Sequence, residues 1–204
     1  MNEQAVQPLL ASLLGNRRIV LGSSSPRRVE LLTLLVGKVE VRVPVVEEVY
    51  PPNMPVNRVP EYLSALKAES LRPTLTDNEV LITADTVVIL NGKLIGKPAN
   101  MQEAKATLQA LSGATHQVVS GYTIANKECM VCGSAESRVT FATLQEDEVD
   151  YYLRTFSPLD KAGAYGVQEW IGLVGVTHIE GSYHNIMGLP TALLYNKLKQ
   201  FLQG

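Results

Sequence analysis

Apolar positions recur along this chain with two periods, and the switches between them mark an alternation of strands and helices. The short run Arg18–Gly22, "RIVLG", is apolar and predicts a buried strand. Pro26 to about Val36 carries leucines at helical spacing and is closed by Gly37, which predicts a helix with Ser25 at its N-cap. Val39–Val46 reads as a second strand, the proline-rich "YPPNMP" as a loop, and Pro60 to about Leu71 as a helix. Glu79–Leu90 is a long apolar strand, turned by Asn91-Gly92 into a short partner. A helix over Gln102–Ser112 stops at Gly113, and two β-rich segments follow, around His116–Ala125 and Met130–Thr143.

Thr143 and Glu146 form a T-x-x-E box that opens a helix running to about Thr155. The acids Glu146, Asp147 and Glu148 then fall in its first turn, where the helix dipole favours them, so that charge run needs no chemical role. A loop, "SPLDKAGAYGVQ", a β-rich "IGLVGVTHI", a turn and a last helix from Thr191 complete the chain. The alternation predicts an α/β fold with a mixed sheet.

At the N-terminus, Leu9, Leu10, Leu13 and Leu14 fit one face of a short helix. Glu3 precedes this apolar part and the arginines follow it, the reverse of a signal peptide. No apolar run approaches the roughly 18 residues of a membrane span. These features read as a cytoplasmic chain without a membrane partner.

Composition narrows the functional classes. A length of 204 residues suits one domain, or two small lobes around a shared cleft, and 46% hydrophobic residues supply a core. A net charge of -2 is neither a basic coat for nucleic acid nor an acidic tail, so an anionic ligand must be held by local positive charge. Cys129 and Cys132 form one CxxC with no second pair, and His116, His178 and His184 are scattered, which favours structural cysteines in a reducing compartment over a zinc site.

Three segments look chemical. "GSSSPRR", Gly22–Arg28, sits where a strand hands over to a helix: free N–H groups, the hydroxyls of Ser23 and Ser24, and the forks of Arg27 and Arg28 all suit phosphate oxygens. The competing reading is a capped helix with two solvated arginines. Asp85 stands inside the apolar "VLITADTVVIL", where a carboxylate is costly unless paired or bound to metal. Glu47 and Glu48 end an apolar stretch in a similar way, Lys97 follows the hairpin in "LIGKP", and Lys67 taken alone is an ordinary helical lysine. In "DKAGAYGVQ", Asp160 to Gln168, small residues let backbone approach a ligand and Gln168 offers both a donor and an acceptor to a base edge; glycine in turns is the plainer reading there, as in "GSYHNIMGLP".

Taken in order, "SSSPRR", "ADT", "GKP", "LSG", "DKAGAYGVQ" and "GSYHNIMGLP" resemble the Maf family of nucleoside triphosphate pyrophosphatases, from about Ile19 to the last helix. The first eighteen residues lie outside the resemblance, as an extension of a single Maf-like domain. Departures are Gly22, where the family often has alanine, and Met187, where it often has valine.

The resemblance implies an elongated, two-lobed α/β fold similar to inosine triphosphatases, with a central mixed sheet and the active site in the cleft. It implies cleavage between the α- and β-phosphates with a divalent metal, Mg²⁺ or Mn²⁺, and a homodimer. Its motif residues fall on Ser23, Arg28, Lys67 and Lys97 for the phosphates, on Asp85 as general base, and on Glu47 and Asp85 for the metal. The sequence leaves open whether Glu47 or Glu48 is the ligand, and the match over "VEE" favours Glu47. Arg27, Thr86 and Gln168 match the subfamily acting on dTTP and UTP rather than the one acting on 7-methyl-GTP. Alternatives are a cleaner of modified purines and a cell-division regulator working through a binding partner.

Overall fold

The structure, a computed structural model, describes residues 10–203. Leu9, one of the four leucines expected on the N-terminal helix, lies outside that range. Helix α1 (Ala11–Leu14) leads into strand β1 (Arg18–Gly22) and helix α2 (Pro26–Val36), which Gly37 ends as predicted. Strand β2 (Val39–Val41) and helix α3 (Val59–Leu71) follow, then the long β3 (Glu79–Leu90) with its hairpin partner β4 (Lys93–Ile95). Next come helix α4 (Met101–Leu111), strands β5 (Thr115–Ala125) and β6 (Met130–Phe141), and helices α5 (Glu146–Thr155) and α6 (Trp170–Gly175). Strand β7 (Val176–Glu180), helix α7 (Tyr183–Met187) and helix α8 (Thr191–Gln203) close the fold.

One sheet runs in the order β2-β1-β3-β5-β6-β7, with β4 on β3. β1 is parallel to both β2 and β3, whereas β3, β5, β6 and β7 pair antiparallel, so the sheet is mixed as predicted. Side chains alternate across β3. Val80, Ile82 and Ala84 join a core with α1, α2 and α8, in which Leu10, Leu14, Leu194, Leu198 and Leu202 are buried. On the opposite face Leu81 packs with Ala68 and Leu71 of α3. Beyond the middle of the strand, Val88 belongs to a separate core with α4, α5 and α6, and Val87 and Ile89 to a fourth cluster with Val59 and Leu63. The apolar packing thus changes hands around residues 85 and 86 on both faces.

The turn expected after "IGLVGVTHI" holds the five-residue helix α7, and three further local expectations differ from the structure. The second strand ends at Val41, because its partner β1 runs out: Leu21 pairs with Val41, and the Arg42 N–H to Leu21 carbonyl bond at 3.0 Å is the last between them. The helix box lies two residues later than Thr143 and Glu146: Gln145 is the N-cap, and Glu148 accepts from the Gln145 N–H at 2.7 Å. The chain stays extended that far because the Leu144 N–H is taken by the Ser112 hydroxyl, at 2.7 Å. The first half of "IGLVGVTHI" is the helix α6, since the ladder on β6 reaches back only to the Phe141–Val176 pair and leaves residues 170–175 without a partner strand. Cys132 sits in β6, Cys129 in the preceding turn, and both thiols are free.

Candidate active site

The polar pair Asp85-Thr86 occupies the gap between the apolar clusters, and adjacent residues of a strand point to opposite faces. Each therefore organises its own side of the cleft. Asp85 faces α3. The sheet register sets Gly121 of β5 opposite it, and a Cβ at Gly121 would lie 2.3 Å from the backbone of Pro60 and Glu61. Only glycine lets the start of α3 rest on the sheet this closely. With α3 seated there, Lys67 donates from Nζ to Asp85 Oδ1 at 2.5 Å and lies 3.0 Å from Glu48 Oε1. Lys67 and Asp85 are both buried, and the Glu48 carboxylate is half exposed at the open side.

Glu48, not Glu47, is the acid brought to this cluster. It lines the cleft, whereas Glu47 is exposed and does not. Beyond β2 the chain has no strand alternation, so the face each glutamate takes is set by the path of the loop. No group of three or more His, Cys, Asp or Glu side chains among the described residues could hold a metal by itself. Asp85 and Glu48 nevertheless converge on one ammonium. Two carboxylates aimed at one cation site fit Mg²⁺, which takes one or two carboxylates and fills its remaining positions with water and phosphate oxygens.

Thr86 faces α2. Its hydroxyl lies 3.0 Å from Arg28 Nη2 and 2.8 Å from the Ser120 hydroxyl, with Ser120 being its register partner on β5. Arg28 also donates from Nε to the Gly188 carbonyl at 2.8 Å, and from Nη1 to the Ala84 carbonyl at 2.9 Å and the Ser23 hydroxyl at 3.3 Å. Four of its five N–H groups are committed to the protein. Burial lowers its pKa, and the Asp85 carboxylate opposes that shift. Arg28 therefore ties α2 to β3 and to the turn before α8, and one N–H remains for a ligand.

At the start of α2, Pro26 has no N–H and Ser25, although it is the N-cap, makes no capping hydrogen bond. The N–H groups of the first turn open into the cleft beside buried Ser23 and exposed Ser24. Lys97 stands exposed at the rim, making no ion pair among the described residues.

The far wall comes from "DKAGAYGVQ". It is built of two 3-10 turns, Pro158–Asp160 and Ala162–Ala164, with Gly163 and Ala164 both at positive φ. Gln168 is exposed there and lines the cleft. Behind it lies a charged group that the reading of small residues and glycines missed. Lys161 is buried, donates to the Ser157 carbonyl and Asp160 Oδ1 at 2.5 and 2.8 Å, and forms an ion pair with Glu169 Oε1 at 3.1 Å. Asp160 also pairs with Arg27 at 3.1 Å. Burial opposes its ionisation, but Lys161 and Arg27 together hold its carboxyl below the ordinary range. The adjacent aspartate and lysine among small residues were the available signal for this group.

Tyr165 lines the same wall, its hydroxyl 2.7 Å from His116 Nε2. Burial raises the tyrosine pKa and lowers that of His116 to about 4, so at neutral pH both are uncharged. The cleft between these walls encloses about 480 Å³, within the usual range for small-molecule sites.

The family described as Maf-like protein matches residues 18–201. The chain belongs to the Maf family. A dTTP/UTP pyrophosphatase of Porphyromonas gingivalis is 49% identical to this Maf chain over 187 residues, covering 90% of it and 94% of that protein. Another, from Phocaeicola vulgatus, is 47% identical over 184 residues, covering 90% and 95%. The solved structure of the Staphylococcus aureus Ham1 protein shares the fold, with a TM-score of 0.52 at 18% identity over 92% of the Maf chain and 99% of its own. The Maf match begins at Arg18, one residue before the boundary expected from the motifs. Leu10 and Leu14, outside the match, still fill the core against α8.

Proposed function

We propose that this protein hydrolyses dTTP and UTP to the nucleoside monophosphate and pyrophosphate. The observation that carries the reading is the juxtaposition of two carboxylates, Asp85 and Glu48, with an uncapped helix N-terminus in one cleft. The activity named for relatives 47–49% identical over nine-tenths of the chain supports it and supplies the pyrimidine choice. In this reading the triphosphate lies against the first turn of α2, with Ser23, the remaining Arg28 donor and Lys97 adding charge and hydrogen bonds.

Asp85 and Glu48 would hold a divalent metal, which, when bound, neutralises phosphate charge and acidifies water. Asp85 is the proposed general base and takes the proton from the attacking water. Lys67, freed from the carboxylates, is within the cleft to pair with phosphate. On the opposite wall Gln168 meets the donor and acceptor edge of uracil or thymine, and Arg27 and Thr86 bound the space left for the base. A polar base edge left unmatched in such a pocket costs about 1–3 kcal/mol, enough for about tenfold discrimination or more.

The test is product release across dTTP, UTP, ATP, GTP and 7-methyl-GTP with Mg²⁺, with pyrophosphate and phosphate measured separately. The expected outcome is pyrophosphate from dTTP and UTP well ahead of the purines, with reversible loss in EDTA. Release of single phosphates, or full activity without metal, refutes the mechanism. A preference for 7-methyl-GTP refutes the base assignment alone.

A further inference from the structure

The ion pair between Arg27 and Asp160 crosses the cleft mouth, from the first turn of α2 to the segment that carries Gln168. Asp160 divides its carboxylate between two cations: Oδ2 to Arg27 and Oδ1 to Lys161. Lys161 is held by two hydrogen bonds and an ion pair with Glu169, so it serves as a fixed post rather than a phosphate ligand. The same segment is pinned at its other end. Glu169 receives Lys161 on one oxygen and the Tyr152 hydroxyl on the other, and Tyr152 in turn accepts from the Gly166 N–H at 3.0 Å. Gln168 therefore projects into the cleft between two anchored neighbours.

We infer that Asp160 is a specificity-positioning residue: a latch, fixed by Lys161, that holds Arg27 across the cleft in the orientation that selects the pyrimidine base. This rests on the reading of Arg27 and Gln168 as base-selecting residues. Three features support a latch over a chance surface pair. Its inner partner is a buried lysine fixed by the Ser157 carbonyl and by Glu169 as well as by Asp160. Both of its ends lie in the lining of one cleft. It is also the one ion pair among the described residues that joins α2 to the 157–169 segment.

The readout is the ratio of kcat/KM for dTTP to that for ATP, in which the triphosphate contribution cancels. Asp160→Asn keeps the size and removes the charge. It is expected to lower the ratio about three- to fivefold, the scale of a half-exposed ion pair, with the change carried mainly by KM for dTTP. Asp160→Glu, which restores the charge, is expected to recover most of the ratio. In an Arg27→Ala background Asp160→Asn should add nothing further, because the latch has lost its partner.

The unmodified enzyme gives a second measurement: the ratio should fall as salt is raised from about 50 to about 500 mM, since a half-exposed pair is screened. If Arg27→Ala lowers the ratio while Asp160→Asn and salt leave it unchanged, the latch is refuted and the base assignment stands. If Asp160→Asn has the same effect with and without Arg27, the coupling is refuted. If Arg27→Ala leaves the ratio unchanged, the base assignment to Arg27 fails and the latch with it, while the pyrophosphatase chemistry is untouched.

Discussion

A carboxylate in the middle of an apolar strand is tolerated only with a partner, and Asp85 has Lys67 at 2.5 Å. That pairing gives Lys67 a chemical reading that it does not carry alone. Asp85→Asn keeps shape but removes the proposed base and a metal charge. Turnover is expected to fall by about 10²–10⁴ or more, with the folded state retained by circular dichroism. A variant with near wild-type turnover would refute the assignment. The two neighbouring glutamates provide an internal control. Glu48→Gln should cut kcat and weaken Mn²⁺ binding in the presence of nucleotide, whereas Glu47→Gln should leave both near wild type, because only Glu48 meets Lys67. The reverse ranking would restore Glu47 as the ligand.

At the scale of elements, the site depends on how closely α3 approaches the sheet. Gly121 sits opposite Asp85 on β5 and admits the helix backbone where any side chain would collide. Gly121→Ala forces α3 outward, at a cost of about 1–3 kcal/mol in stability by urea unfolding, typical of an overpacked contact. Because Lys67 moves with α3, activity should fall more than the stability loss explains, in protein that is still folded under assay conditions. Unchanged kcat/KM in a destabilised Gly121→Ala protein would show that Lys67 tolerates the displacement. The loop after β2 works differently. It has no ladder beyond Val41 and is tethered through Arg42, which pairs with Glu40 and donates twice to Glu79 at 2.6 and 3.0 Å.

Across the whole molecule, two buried groups contribute strongly to the response to acid. Arg42, against the cost of burial, holds Glu79 down at about 2, with Thr76 and Arg18 assisting; burial holds His116 down at about 4. Both shifts are downward, so the unfolded chain binds more protons than the folded one as pH falls. The His116 contribution is present above its ordinary pKa of 6.5 and is lost as pH falls toward about 4; the Glu79 contribution is lost from 4.5 toward about 2. Melting temperature should therefore decline in two stages between neutral pH and strong acid. Glu79→Gln should remove the lower stage and cost about 1–3 kcal/mol at neutral pH, the scale of hydrogen bonds to a charged group. A parallel acid profile in that variant would assign the transition to other groups.

What could be read from the chain alone was everything governed by local period and by single anomalous residues. The boundaries of β1, α2 and β3, the Asn91-Gly92 hairpin and the mixed α/β order follow from apolar spacing and turn chemistry. Asp85 was legible because one charge in an apolar strand breaks a pattern, and the serines before Pro26 because they stand at a strand-to-helix handover. Tertiary structure decided whatever depended on partners distant in sequence. The second strand stopped at Val41 and "IGLVGV" became helix because a strand lasts only as long as its neighbour in the sheet. Glu48 rather than Glu47 meets Lys67, a choice hidden from the sequence because an irregular loop has no period from which to read a face. Lys67, an ordinary helical lysine in sequence, became central because Gly121 admits its helix. Arg28 emerged as a tie between elements, and Lys161 as the post behind Gln168, because hydrogen-bond partners are a property of the folded surroundings and leave no trace in the order of residues.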